Sequence, residues 1–151
     1  MDTNSMAFDE SDFAAVQRCV CASIRRTDRA ITQFYDAILA PSGLHITQFG
    51  LLATIAKAGP ITINRLAEFM VMDRTTLTRN LGPLVKQGLV HTEEGEDRRM
   101  RFVRVTTAGE ETLKTVLPLW KKAQEHILKS LSQERVDALL AELSAVVAAS
   151  Q

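Results

Sequence analysis

The sequence predicts a mainly α fold with one small β-ribbon, in which short helices and the ribbon form the middle and long helices stand at both ends. Three observations predict it. Apolar residues recur at three- and four-residue steps over most of the 151 residues. Between residues 89 and 106 the period falls to two on either side of a polar turn. Two short helical segments are separated only by Val71-Met72-Asp73, the length of a helix-turn-helix connection.

Taken in order, Phe13, Val16, Val20, Ile24, Thr27, Ile31, Phe34 and Ile38 make one stripe on a first helix from about Asp9 to Leu39, with Arg18, Arg25, Arg29 and Asp36 opposite. Ala40-Pro41-Ser42-Gly43 ends it. Thr47 is expected to cap a second helix, Gln48 to Lys57, that stops at Gly59-Pro60. Thr62 caps a third, Ile63 to Met70, and Asp73 a fourth, Arg74 to Gln87, with Gly88 just past its end. A two-stranded hairpin follows, Leu89 to Glu93 and Met100 to Thr106, with Val103 and Val105 on one side; Phe102, on the other, has no evident partner. Thr106 caps a long fifth helix to about Leu128 that contains Pro118, and Ser132 caps a sixth, Gln133 to Ala149.

Composition excludes several classes. At 46% hydrophobic the chain can build a core, so wholesale disorder is unexpected. With 18 basic and 18 acidic residues the total charge says nothing about nucleic acid, and the placement of the cations decides. Two cysteines make no disulfide scaffold. The start carries Asp2, Asp9, Glu10 and Asp12 without a cationic and apolar leader, and no 18-residue apolar run occurs. A soluble cytoplasmic chain without membrane contact is expected. His45, His91 and His126 lack metal-ligand spacing, and neither a phosphate loop nor a nucleophile elbow occurs. No catalytic activity, metal or cofactor is expected.

The stretch RTTLTRN, Arg74 to Asn80, is a helix start crowded with small polar and cationic side chains around a single Leu77. In a helix-turn-helix, the second helix meets base edges and phosphates through its N-terminal residues. Thr75, Thr76 and Thr78 offer hydroxyls and methyls, Arg74 and Arg79 can fork onto guanine or phosphate, and Asn80 extends the same polar face. Gly82 and Pro83 lie beyond the reading turns, so a kink there leaves reading intact. The turn EGEDRRMR sets Arg98, Arg99 and Arg101 at the hairpin tip, where an arginine can enter the minor groove, and Asp97 is placed to fix the loop. The plainer alternatives are a solvated helix face and a tip kept polar for solubility.

MDRTTLTRNLGPLVKQGLV followed by EDRRMRFVRVTTAG resembles the winged helix-turn-helix of the MarR family of bacterial transcriptional regulators. TQFGLLATI and INRLAEFM match its preceding helices, and Asp97-Arg98-Arg99 with Val105-Thr106-x-x-Gly109 match its wing and wing-to-helix join. Gly82-Pro83 departs from the commonest pattern. The resemblance implies a homodimer with intertwined first and last helices, major-groove reading by residues 74–80, and minor-groove contact chiefly through Arg99. Residues 1–40 and 107–151 then form a helical dimerisation region, and 41–106 the DNA-binding module. Dimerisation also follows physically. One chain of this size struggles to bury both the N-terminal stripe and the Leu/Val-rich last helix, whereas a two-fold pair buries them and sets its reading helices about 34 Å apart, one turn of a palindromic operator in double-stranded DNA.

The expected function is a DNA-binding repressor released by a small-molecule effector. The resemblance implies a pocket for a phenolic or other aromatic anion, and Arg29, His45, Phe49 and Trp120 are its candidate lining. An alternative is an organic-peroxide sensor using Cys21. Cys19 and Cys21 point about 200° apart on a regular helix and cannot bridge there. Cys21 is similar in position to the reactive cysteine of peroxide-sensing family members, with Tyr35 as a donor to the thiolate and Arg18 and Arg25 to lower its pKa. Small hydrophobes at an interface edge are the plainer reading of both cysteines. A helical interaction protein that binds no DNA is the remaining alternative.

Overall fold

The computed structural model describes residues 8–97 and 99–151. Its described chain falls into two compact units that part between Phe34 and Tyr35.

The N-terminal helix is not continuous. Asp9 and Asp12 cap α1, Glu10–Gln17, reciprocally, and α2 runs Val20–Leu39 after a break at Arg18 and Cys19. Helix α1 buries no residue, and Cys19, Val20 and Cys21 are weak helix formers, so nothing offsets the loss of the ladder there. The stripe also shifts. Phe13, Val16 and Val20 are exposed, and the residues buried at the far end of α2 are Tyr35 and Leu39, next to the expected Phe34 and Ile38.

In the second unit a short 3-10 turn, Ala40–Ser42, leads to α3, Ile46–Ala58. His45, not Thr47, is its N-cap residue. Gln48 Oε1 accepts the His45 amide at 2.9 Å, and Asp36 Oδ1 accepts the Ile46 amide at 2.7 Å. Asp36 thus leaves the solvent face expected of it to satisfy a helix end ten residues away.

Strand β1, Ile61–Thr62, was not expected; it turns the hairpin into a three-stranded antiparallel sheet. Strands β2, Val90–Glu94, and β3, Arg101–Val105, pair through Val90 with Val105, and β1 joins the other side of β3 through Ile61 with Val103 and Thr62 with Phe102. This accounts for Phe102. Its ring closes over Gly95, where a Cβ would lie 2.9 Å from Cε2.

The reading pair comes next. Thr62 accepts the Arg65 amide and caps α4, Ile63–Phe69; Asp73 caps α5, Arg74–Lys86, which runs unbroken through Pro83 to Gly88 at φ 71°. Leu66, Leu77 and Leu84 are fully buried and join the pair to Leu52, Ile55, Val103 and Val116 in one core. Helix α6, Thr107–Leu131, starts from the Thr106 cap and includes Pro118; α7, Gln133–Ala149, follows. Ser132 makes no capping bond through its side chain; it turns the chain at φ 68°.

Candidate nucleic-acid interface

Asp73 organises the start of α5. Its carboxylate accepts the Thr76 amide at 2.8 Å and the Thr76 hydroxyl at 2.6 Å, and these bonds hold its carboxyl below its ordinary pKa. Thr76 therefore spends its proton on the cap. Thr78 donates to the Arg74 carbonyl at 2.8 Å, so it too offers a methyl and a lone pair outward rather than a free donor. Arg74, Thr75 and Arg79 are exposed. Asn80 is half-buried, its amide directed at the Met72 sulfur at 3.6 Å, which ties the helix to the turn before it. With Leu77 at zero exposure beneath them, Arg74, Thr75, Thr78 and Arg79 stand outside the core.

The wing is organised by another aspartate. Asp97 Oδ1 accepts the Arg99 amide at 3.0 Å, and the Arg99 guanidinium lies 3.8 Å from the same oxygen. Its hold on the turn runs mainly through the backbone, as in an Asx turn, because the side-chain pair is long and exposed. Met100 donates to the Asp97 carbonyl and Gly95 to the Met100 carbonyl, both at 2.8 Å, closing the turn. Arg101 is exposed and reaches Thr92 Oγ1 at 3.5 Å. Arg98 lies outside the described residues.

Helix and wing are held in register by the Thr106 join. Thr106 Oγ1 donates to the Gly88 carbonyl at 2.6 Å and accepts the Gly109 amide at 3.1 Å, while its own amide donates to the Leu89 carbonyl at 3.0 Å. One threonine thereby ties the end of α5 to the start of α6.

The other candidates separate. Phe49 is buried, with its ring centroid 6.2 Å from that of Trp120, so the two make core contact. His45 pairs with Asp36 at 2.9 Å and lines a cavity of about 560 Å³ with Gln48, Met70, Met72, Arg79 and Asn80. Met70 and Met72 of the turn are weaker pocket candidates in the sequence, whereas Arg79 and Asn80 are read there only as DNA-facing. Arg29 lies in the first unit. Tyr35 donates its hydroxyl to Gln124 Oε1 at 2.6 Å, and burial pushes its pKa up. Cys19 and Cys21 are free and exposed, and Cys19 lies in the break rather than on a helix.

Comparison with known proteins agrees with this architecture. Residues 42–100 match the MarR family. A crystal structure of the Mycobacterium tuberculosis transcriptional regulator MosR in complex with DNA superposes with a TM-score of 0.79, at 36% identity over 89% of this chain and 99% of that one. The chain belongs to the MarR family. A mutant MarR from Escherichia coli, solved with operator DNA, shares 26% identity over 84% of this chain and 92% of that one, with a TM-score of 0.75. The transcriptional regulator HosA of Escherichia coli is 31% identical over 62% of this chain and 70% of its own length. These MarR-family relatives are transcriptional regulators, not enzymes. No single helix among the described residues is long and apolar enough to cross a membrane.

Proposed function

We propose that this MarR-family chain is a sequence-specific DNA-binding repressor that acts as a homodimer on a palindromic operator and is released by a small aromatic anion. The observation that carries the reading is the shared placement of Arg74 on α5 and Arg99 and Arg101 on the wing around one cleft, outside a core sealed by Leu77. Arg74, Thr75, Thr78 and Arg79 meet the bases and phosphates of the major groove, with Thr76 and Asn80 bracing them, and Arg99 enters the minor groove. MosR and MarR bound to DNA support the partner.

The dimer is supported by apolar faces that one chain leaves uncovered: Phe13, Val16 and Val20 near one end, Leu139, Leu140, Leu143 and Val147 on α7. Burying them against a second copy follows from the hydrophobic effect. On this reading residues 1–40 and 107–151 form the dimerisation region and 41–106 the DNA-binding module. The effector fits the cavity at His45. Its occupant would touch Arg79 and Asn80 directly, so binding there and binding to bases compete for the same side chains.

The test is fluorescence anisotropy with a duplex selected by the protein from host genomic fragments. Affinity should fall steeply with salt, and Arg79→Ala and Arg99→Ala should each lose it without change in oligomeric state. Leu143→Glu should yield monomers that bind weakly. Retained affinity in both arginine variants would defeat the assignment, and insensitivity to millimolar aromatic carboxylates would defeat the effector.

A second reading is favoured by the two exposed thiols at the α1–α2 break. The Cys21 thiolate attacks an organic hydroperoxide, takes its terminal oxygen to become a sulfenic acid, and releases the alcohol. Peroxide should then release DNA from the parent protein and not from Cys21→Ser; equal release from both removes Cys21 from the mechanism.

A further inference from the structure

One small cavity is built from three separate parts of the second unit. Thr62, Ile63 and Asn64 at the β1–α4 join, Arg74 at the start of α5, and Arg99, Met100 and Arg101 of the wing enclose about 50 Å³. Three arginine residues therefore line a space that holds a few oxygen atoms and is far too small for a base.

Their counterions are few. Arg74 and Arg101 make no ion pair among the described residues, although Glu94 lies opposite Arg101 across the ladder. Among the described residues the Arg99 guanidinium has only the long, exposed contact to Asp97. Cations gathered this way repel one another, and an anion between them removes the repulsion. Guanidinium forks match the oxygens of a phosphate in pairs, which a carboxylate on the protein does not supply here.

We infer that this cavity seats one backbone phosphate of the duplex, gripped at once by Arg74 from the reading helix and by Arg101 from the wing, with the exposed amide of Asn64 as a neutral donor. The inference rests on the DNA-binding reading above and deepens it. A phosphate held from two elements positions the protein without reading sequence. Because Arg74 belongs to the element in the major groove and Arg101 to the one beside the minor groove, the seat sets the angle between the two readers. Asn64, which no sequence motif singles out, becomes a DNA contact.

The experiment uses the full chain and a duplex selected by it from a random pool, with each phosphate of one half-site replaced in turn by an uncharged methylphosphonate. For the parent protein, one replacement should lower affinity about tenfold. The same replacement should cost Arg101→Met and Arg74→Met less than twofold, because the charge it removes no longer has its partner. Arg101→Met should also flatten the plot of log affinity against log salt by about one unit per half-site. Asn64→Ala should lose about threefold on the unmodified duplex and nothing further at that one position. If the parent binds the duplex but every replacement costs the variants as much as the parent, the seat does not exist. If the parent binds no duplex, the DNA-binding reading fails first and the seat with it. Should one arginine variant unfold, the other and Asn64→Ala carry the same comparison.

Discussion

Gly109 lies in the first turn of α6, where alanine is ordinarily the better helix former. Here the sign should reverse. A Cβ on Gly109 would run into the Leu89 carbonyl oxygen and lie 2.6 Å from Val105 Cγ2. The obstacle is backbone, and it cannot rotate aside. The Leu89 carbonyl also accepts the Thr106 amide at 3.0 Å, and Thr106 holds the Gly88 carbonyl at 2.6 Å. Making room for a methyl means lifting α6 off the start of β2 and stretching both bonds. Forcing a methyl into a filled site costs about 1–3 kcal/mol, and two weakened hydrogen bonds about 2 more. Helix propensity returns at most about 1 kcal/mol. Gly109→Ala should therefore destabilise by about 2–4 kcal/mol, at roughly 2–4 °C of melting temperature per kcal/mol for a chain this size. The control is Gly82→Ala in α5, where a Cβ meets nothing within 4 Å and the propensity gain of about 0.5–1 kcal/mol should appear as added stability. Both are read from urea and thermal unfolding at one protein concentration, since association shifts the midpoint. A Gly109→Ala protein as stable as the parent, moving with Gly82→Ala, would refute the close-approach argument.

Other substitutions test other parts of the structure. Val71, in the turn between α4 and α5, holds φ at 53°, which a β-branched residue adopts only under strain. Val71→Gly should gain about 0.5–1 kcal/mol in urea unfolding, relief of strain exceeding the entropy added to the unfolded chain. On α5, Leu77→Ala should cost about 2–5 kcal/mol and Val85→Ala within about 0.5 kcal/mol, because the first is fully buried and the second 42% exposed. Asp36 tests pH. Burial raises its pKa, but the Ile46 amide and His45 more than offset this and hold it below its ordinary 3.8. The folded state then binds fewer protons than the unfolded one, so this stabilisation is complete above about pH 4 and drains as pH falls further. The urea midpoint of Asp36→Asn should change less between pH 5 and pH 3 than that of the parent; equal slopes would remove Asp36 from the acid limb.

Much of the reading module was legible in the sequence because its signals are short-range. Asp73 reaches Thr76, Thr62 reaches Arg65, Thr106 reaches Gly109, and Gly88 adopts a positive φ; each acts within a turn, so spacing alone located them. The helix-turn-helix spacing and the arginines of the wing were visible for the same reason. The expected continuity of the first helix fails because a stripe of apolar residues does not by itself sustain a ladder, and α1 buries no residue among those described.

What the chain determined by itself was therefore local: where helices start and stop, where the period changes, and which side chains are too polar for a core. The tertiary structure decided whatever depends on residues far apart in sequence. Strand β1 exists only because Ile61 and Thr62 meet Val103 and Phe102 across forty residues of chain, and two residues carry no periodicity to recognise. Asp36 caps α3, Tyr35 donates to Gln124, and Asn64 joins Arg74 and Arg101, because packing brings those elements together. The physical reason is the same in each case. A hydrogen bond within one turn is set by the geometry of the backbone, whereas a contact between elements exists only once the core of Leu66, Leu77, Leu84 and Val103 has closed and brought them together.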